Sequence, residues 1–308
     1  MQSPQSGKNE RRSQTLLRAA VLSLCIASPA AAAELDMKPV NAIFDRTPAQ
    51  SDGVYRYGFP RSDLKVVLDG VTLKPAFALG GWVAFKAMDG NAMVMGDLVL
   101  TESEINPVMS KLLESGIEVT ALHNHLLRAI PATFYMHVGG RGDPAKLAEG
   151  IRAALALTSV PSGSPVAPAS APPPIDLDTA KLDEMIGANG KVNGGVYQFG
   201  VPRADKVTMA DMVVPAAMGS ANVINFQPTG DGRAAITGDI VALAGEVVPL
   251  ITAMRSNNIE VTAIHNHMLD DDPRTFYIHF WAQDDALKLA QGIRASIEKT
   301  NVSRKQSP

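Results

Sequence analysis

Cysteine is almost missing from this sequence of 308 residues; the single one, Cys25, lies in a stretch that reads as a cleaved leader. A disulfide framework and a thiolate metal site are both excluded for the mature chain. An excess of basic residues is missing too, with 28 Lys and Arg against 31 Asp and Glu and a net charge of −3. No basic stripe exists to neutralise phosphates, which excludes a nucleic-acid partner. Nor does any apolar run reach the roughly 20 residues that a membrane-spanning helix needs. Histidine is scarce, at six residues, and all six fall in two short stretches.

Those stretches read EVTALHNHLLRAIPATFYMHV from Glu118 and EVTAIHNHMLDDDPRTFYIHF from Glu260. Matched positions lie 142 residues apart without a gap, so the chain contains one unit twice. The histidines are His123, His125 and His137 in the first copy and His265, His267 and His279 in the second.

Residues 1–33 have the form of a signal peptide. Lys8, Arg11, Arg12 and Arg18 make a positive start, an apolar run follows from Ala19 to Ala27, and Ala31, Ala32 and Ala33 offer a cleavage site. The expected location is the periplasm or the medium. Arg11-Arg12 leaves the choice between general and twin-arginine export open, and Leu24 before Cys25 is a poor match to a lipoprotein site. Removal of the leader leaves 24 basic and 30 acidic side chains, a net charge of −6.

The rest divides at residues 158–176, where TSVPSGSPVAPASAPPP has little to bury and favours extended backbone. Residues 34–157 and 177–308 are the two repeats, the second with a short polar tail. Each should be an α+β unit, a mostly antiparallel sheet covered by helices, and the pair should form an intramolecular pseudo-dimer. An opening helix is clear only in the second copy, where Leu182, Met185 and Ile186 follow Asp178; Pro39 and Pro48 argue against one in the first. Asp89-Gly90 and Asp231-Gly232 mark hairpin turns. Pro107 and Pro249 are expected in the first turn of a helix, and Asp143-Pro144 opens another whose Leu147, Ile151 and Leu155 share a face.

Alternation along a strand puts His123 and His125 on one face with Cα atoms about 6.6–6.8 Å apart. Phe134, Met136 and Val138 alternate with Thr133, Tyr135 and His137, so pairing of the two strands would bring His137 beside His125. One three-histidine site per repeat follows, suited to Zn²⁺ first and also to Cu²⁺ or Fe²⁺, with a coordination position open to water or a small ligand. Glu104 and Glu246 are possible additional ligands. Thr101-x-x-Glu104 has a capping-box pattern, but Leu243 replaces the threonine in the second copy while Glu246 stays. Asp97 and Asp239, each after a glycine, read as turn residues; Glu104 and Glu246, Tyr135 and Tyr277, and Asp97 and Asp239 are the candidates for a general base. Arg61 and Arg203 read as partners in structural ion pairs.

The phrases GVYRYGFPRSD, GDLVLTESEINPV, VTALHNHLL and FYMHVGGRGDPAKLAEGIRAAL resemble the LppY/LpqO family of exported bacterial proteins, over Gly53 to Leu155 and again over Gly195 to Ile297. That resemblance implies a tandem domain of unknown function and assigns no catalytic residue. Three functions stay open: a periplasmic metal-binding protein, a metal-dependent enzyme (a hydrolase or a cupin-like lyase or oxygenase) acting on a small molecule, and a structural pseudo-dimer without metal.

Overall fold

Strands whose residues alternate between two buried faces need cover on both sides, and this chain supplies it with helices outside and its own second repeat inside. The computed structural model describes residues 35–88, 90–163, 174–210 and 212–303. The leader and most of the Pro/Ala/Ser segment lie outside the described residues.

The first repeat comprises α1 (Lys38–Phe44), β1 (Ala49–Ser51), β2 (Val54–Pro60), β3 (Gly80–Met88), β4 (Asn91–Leu100), α2 (Ile105–Glu114), β5 (Glu118–His123), β6 (Phe134–Gly142) and α3 (Pro144–Leu155). The second comprises α4 (Thr179–Ile186), β7 (Lys191–Asn193), β8 (Val196–Pro202), β9 (Ala221–Gly230), β10 (Arg233–Leu243), α5 (Ala244–Ser256), β11 (Glu260–His265), β12 (Thr275–Asp285) and α6 (Ala286–Ile297). The sheets run β1-β2-β3-β4-β6-β5 and β7-β8-β9-β10-β12-β11, the same order twice, antiparallel throughout.

Helices cover the outer face of each sheet. Val40, Phe44, Val108, Leu112, Leu147 and Ile151 bury against Tyr57, Phe85, Val94, Met136 and Val138. Leu182, Leu250, Met254, Leu289 and Ile293 do the same against Phe199, Phe226, Ile236, Ile278 and Phe280. Asp143 caps α3 by accepting the Lys146 N–H at 2.9 Å, and Asp285 caps α6 in the same way. Two helix expectations need correction. The first repeat does open with a helix, because Pro39 sits in the first turn of α1, where no N–H is required. Pro249 lies inside α5 and not in its first turn, since α5 begins at Ala244 while α2 starts only after a 3-10 turn at Glu102–Glu104.

The inner faces meet. Val66, Leu68, Leu73, Phe77 and Leu79, from the excursion between β2 and β3, pack on Val196, Ala235 and Trp281 of the second sheet. Val207, Val214 and Met218, from the matching excursion, pack on Val54, Ala84, Met93 and Met95 of the first. Polar side chains seal the joint. Asn225 and Gln227 donate to the carbonyls of Phe77 and Thr72, both at 2.8 Å, and Arg128 reaches Glu260 at 3.0 Å. The chain is an intramolecular pseudo-dimer, as its duplication implies.

The copies are not in phase everywhere. Asp97 pairs with Trp82, whereas Asp239 pairs with Val223, one position short of the offset that relates the histidines. An irregularity between Pro228 and Gly230 absorbs the slip.

Candidate functional site

The strand β5 ends at His123. Asn124 then accepts the Leu126 N–H at 2.8 Å, a local turn that takes the chain out of the sheet. His125 therefore sits in the turn beyond the strand, and not on it as strand alternation predicts. A β-bulge between Val119 and Ala121 adds a change of parity. Val119 lies opposite Val138 on the helix-covered face, while Ala121 and His123 lie opposite His137 and Tyr135 on the inner face. Thr120 is the extra residue, and its hydroxyl donates to the His267 carbonyl of the other repeat at 2.7 Å. The second copy has the same bulge, with Ala263 opposite His279 and His265 opposite Tyr277.

One row of side chains crosses each inner face. In the first repeat it reads Trp82, Asp97, His137, Ala121; in the second, Val223, Asp239, His279, Ala263. Asp97 and Asp239 are thus mid-strand residues beside histidines, and the turn role expected for them is wrong. The preceding glycines have a steric origin. A Cβ on Gly96 would stand 2.7 Å from Val83 Cγ1 and 2.8 Å from the Trp82 carbonyl oxygen, and one on Gly238 would meet the Val223 carbonyl. Only glycine lets these strands approach so closely.

The inner faces bring all six imidazoles together, stacked in pairs with one ring from each repeat. Ring centroids lie 3.5 Å apart for His123 and His265, 3.5 Å for His125 and His279, and 3.9 Å for His137 and His267. Within the first repeat, His123 is 4.7 Å from His125 and 5.0 Å from His137. Tyr135 stacks on His125 at 3.4 Å and Tyr277 on His267 at 3.3 Å, walling the cluster at both ends.

Among the described residues, four groups place ligand atoms within 4.8 Å of one another: His123 with His125, His265 and His279; His137 with His265 and His267; Asp97 with His125 and His137; and Asp239 with His267 and His279. None consists of the three histidines of one repeat. The separate three-histidine sites expected from the sequence give way to overlapping groups, two of them drawn from both repeats and two completed by a carboxylate. Glu104 and Glu246 are in none of them. Glu104 takes Arg61 on both oxygens, at 2.7 and 3.1 Å, and accepts the Thr101 and Ser159 N–H groups. Glu246 takes Arg203 at 2.7 and 3.2 Å and accepts from Leu243 and Asn301. Leu243 can replace Thr101 because the contact uses its backbone N–H and not its side chain.

Buried polar atoms ordinarily have partners. Here the Nε2 atoms of all six histidines, Nδ1 of His123 and His265, and Oδ1 of Asp97 and Asp239 are buried without a hydrogen-bond partner. His267 Nε2 does lie 3.2 Å from Asp239 Oδ2, an ion-pair distance without hydrogen-bond alignment. Burial, followed by the neighbouring imidazoles, pushes the His123 pKa down to about 3 and holds His125 and His137 well below the ordinary value. Burial likewise lowers His265 and His279. These five rings are held neutral, the form in which imidazole ligates a metal. The two carboxyls diverge. Burial and the charge of Asp239 push Asp97 up to about 8, against a smaller opposing pull from Arg56. Burial acts in the same sense on Asp239 but is outweighed by His279 and His267, which hold it below the usual carboxylate range.

The sequence profile of the domain of unknown function DUF1259 matches residues 38–157 and again residues 180–299. The chain belongs to that family. Each match spans one sheet with its helices and one set of three histidines, so the family's unit is half of the cluster described above. Among curated proteins nothing matches. Among solved structures, a trimeric bacterial microcompartment shell protein, PduB, is similar over 83% of this chain and 91% of its own at 12% identity, with a TM-score of 0.22, too slight a likeness to argue from.

Proposed function

We propose that the protein is an exported metal-binding protein whose six histidines, with Asp97 and Asp239, hold two divalent transition ions at the contact of its repeats. The observation that carries this reading is the convergence of buried, unpartnered ligand atoms from all eight side chains. Burying so many polar atoms without compensation is costly, and a cation supplies a partner to one atom of each side chain. Imidazole with carboxylate suits Zn²⁺ foremost; two histidines with one aspartate also suit Fe²⁺, and Cu²⁺ favours the imidazole-rich groups. Export rests on the signal-peptide pattern of residues 1–33 and on the resemblance to the LppY/LpqO family.

Metal analysis of untagged protein, with calorimetry after stripping, tests the reading. Two ions per chain are expected, and no binding of Zn²⁺, Cu²⁺ or Fe²⁺ at neutral pH would overturn it. A second reading, a metal-dependent enzyme acting on a small molecule, is favoured by the two groups of two histidines and one aspartate, which would leave coordination positions open to a substrate. Turnover in a hydrolase and oxygenase screen that disappears on metal removal would establish it.

A further inference from the structure

Arg56, on β2, reaches across to the second repeat. Its Nη1 donates to the Ala217 carbonyl at 2.7 Å, and its guanidinium carbon stands 3.7 Å from the centre of the Trp82 ring. The residue in its place in the second repeat is Gln198, whose side-chain amide donates to the Ala76 carbonyl of the first repeat, also at 2.7 Å. A neutral side chain makes that bond equally well, so the bond does not account for the charge on Arg56. Among the described residues no carboxylate pairs directly with Arg56; Asp97 is the acid within its electrostatic reach. Burial lowers its pKa to about 10, the mark of a cation removed from water without an adequate partner.

Trp82 connects this cation to the histidines. It is the cross-strand partner of Asp97, and Val223 takes its place in the second repeat. Gly219 sits between Trp82 and His267: a Cβ there would stand 3.3 Å from the Trp82 ring and 3.7 Å from His267 Nδ1. Trp82 and Arg56 are both half-buried.

We propose that Arg56 and Trp82 form an oxyanion subsite beside the His137–His267 pair, so that the molecule bound next to the metal is a small carboxylate or phosphate. This rests on the metal-binding reading above. Two divalent ions bring more positive charge than Asp97 and Asp239 cancel, and Arg56 adds to the excess, so the loaded centre attracts an anion. A guanidinium offers such an anion paired N–H donors.

The test uses the full mature chain loaded with Co²⁺, whose visible spectrum reports on its ligands, titrated with acetate and with inorganic phosphate. One or both anions should change the spectrum saturably, and which one does so separates the two chemistries. R56Q, which copies the second repeat and keeps the bond to Ala217, should weaken that anion at least tenfold while Co²⁺ stoichiometry and the urea midpoint stay unchanged; R56K should recover part of the loss. A loaded protein that ignores both anions, or an R56Q variant that binds them as tightly as the parent, overturns the subsite and leaves metal binding standing. A chain that takes up no Co²⁺ overturns both.

Discussion

At Arg61 and Arg203 the two repeats use one chemistry twice. Each arginine is buried, donates to a strand carbonyl (Val99 or Val241), and grips a glutamate that itself caps the chain before a helix. At Arg56 and Gln198, and at Trp82 and Val223, the repeats part, although all four residues occupy equivalent places in the two sheets. The agreement lies where a repeat must support its own fold. The divergence lies beside the histidines, where the repeats meet and where one half need not duplicate what the other supplies.

The sharpest test of the shared part is Arg61→Met against Arg203→Met. Either change strands a largely buried glutamate without its cation, so each should cost about 3–5 kcal/mol in urea unfolding. A cost confined to one repeat would show that the two pairs are not equivalent after all.

The histidines come next. His265 is the one residue shared by the two ligand groups that draw on both repeats. His265→Ala should therefore weaken both ions, by tenfold or more in each dissociation constant, since even changes outside the coordinating shell cost 10–100-fold. Calorimetry that finds one ion untouched would return the centre to one independent site per repeat.

Acidity separates the two carboxylates. His123, with a pKa of about 3 in the fold against an ordinary 6.5, stays neutral where the unfolded chain takes up protons; its contribution is fully present above about pH 6.5 and is lost as the pH falls toward 3. His125, His137, His265 and His279 act in the same direction. Asp97 acts oppositely: its pKa of about 8 means that the fold keeps a proton the unfolded chain releases, so stability falls as the pH rises from about 4 to 8. Metal-free protein should gain stability up to about pH 6.5 and then decline gently to pH 8. Asp97→Asn should abolish the decline and Asp239→Asn should not, as read from urea midpoints at pH 5, 6.5 and 8.

The smallest effect compares Asp143→Ala with Asp285→Ala. Asp143 accepts one N–H and Asp285 two, so each loss should cost about 1 kcal/mol, with Asp285 the greater. Equal thermal shifts would make the second bond irrelevant.

The duplication, the covering helices and the six histidines are all legible in the sequence, because each follows from a local period or an exact spacing. What escaped reading depends on contacts between distant segments. Nothing local announces the bulge at Thr120, which is stabilised by a carbonyl of the other repeat. Gly96-Asp97 resembles a turn because the reason for the glycine lies in a neighbouring strand. A signal was available all the same: an aspartate kept in both copies inside an apolar run is a poor turn residue and a good buried one. Glu104 was hidden because its arginine lies far back in the chain, at Arg61, although Pro-Arg-x-Asp recurs in both halves.

The inner-face contact also bears on how ions bound as proposed would answer to dilution. In two separate chains, histidines facing one another across an interface would come together only as often as the chains met. Joined in one chain, they have a fixed effective concentration, whatever the concentration of the protein. The ions held between the repeats would then stay bound at dilutions where an equivalent two-chain assembly had already come apart.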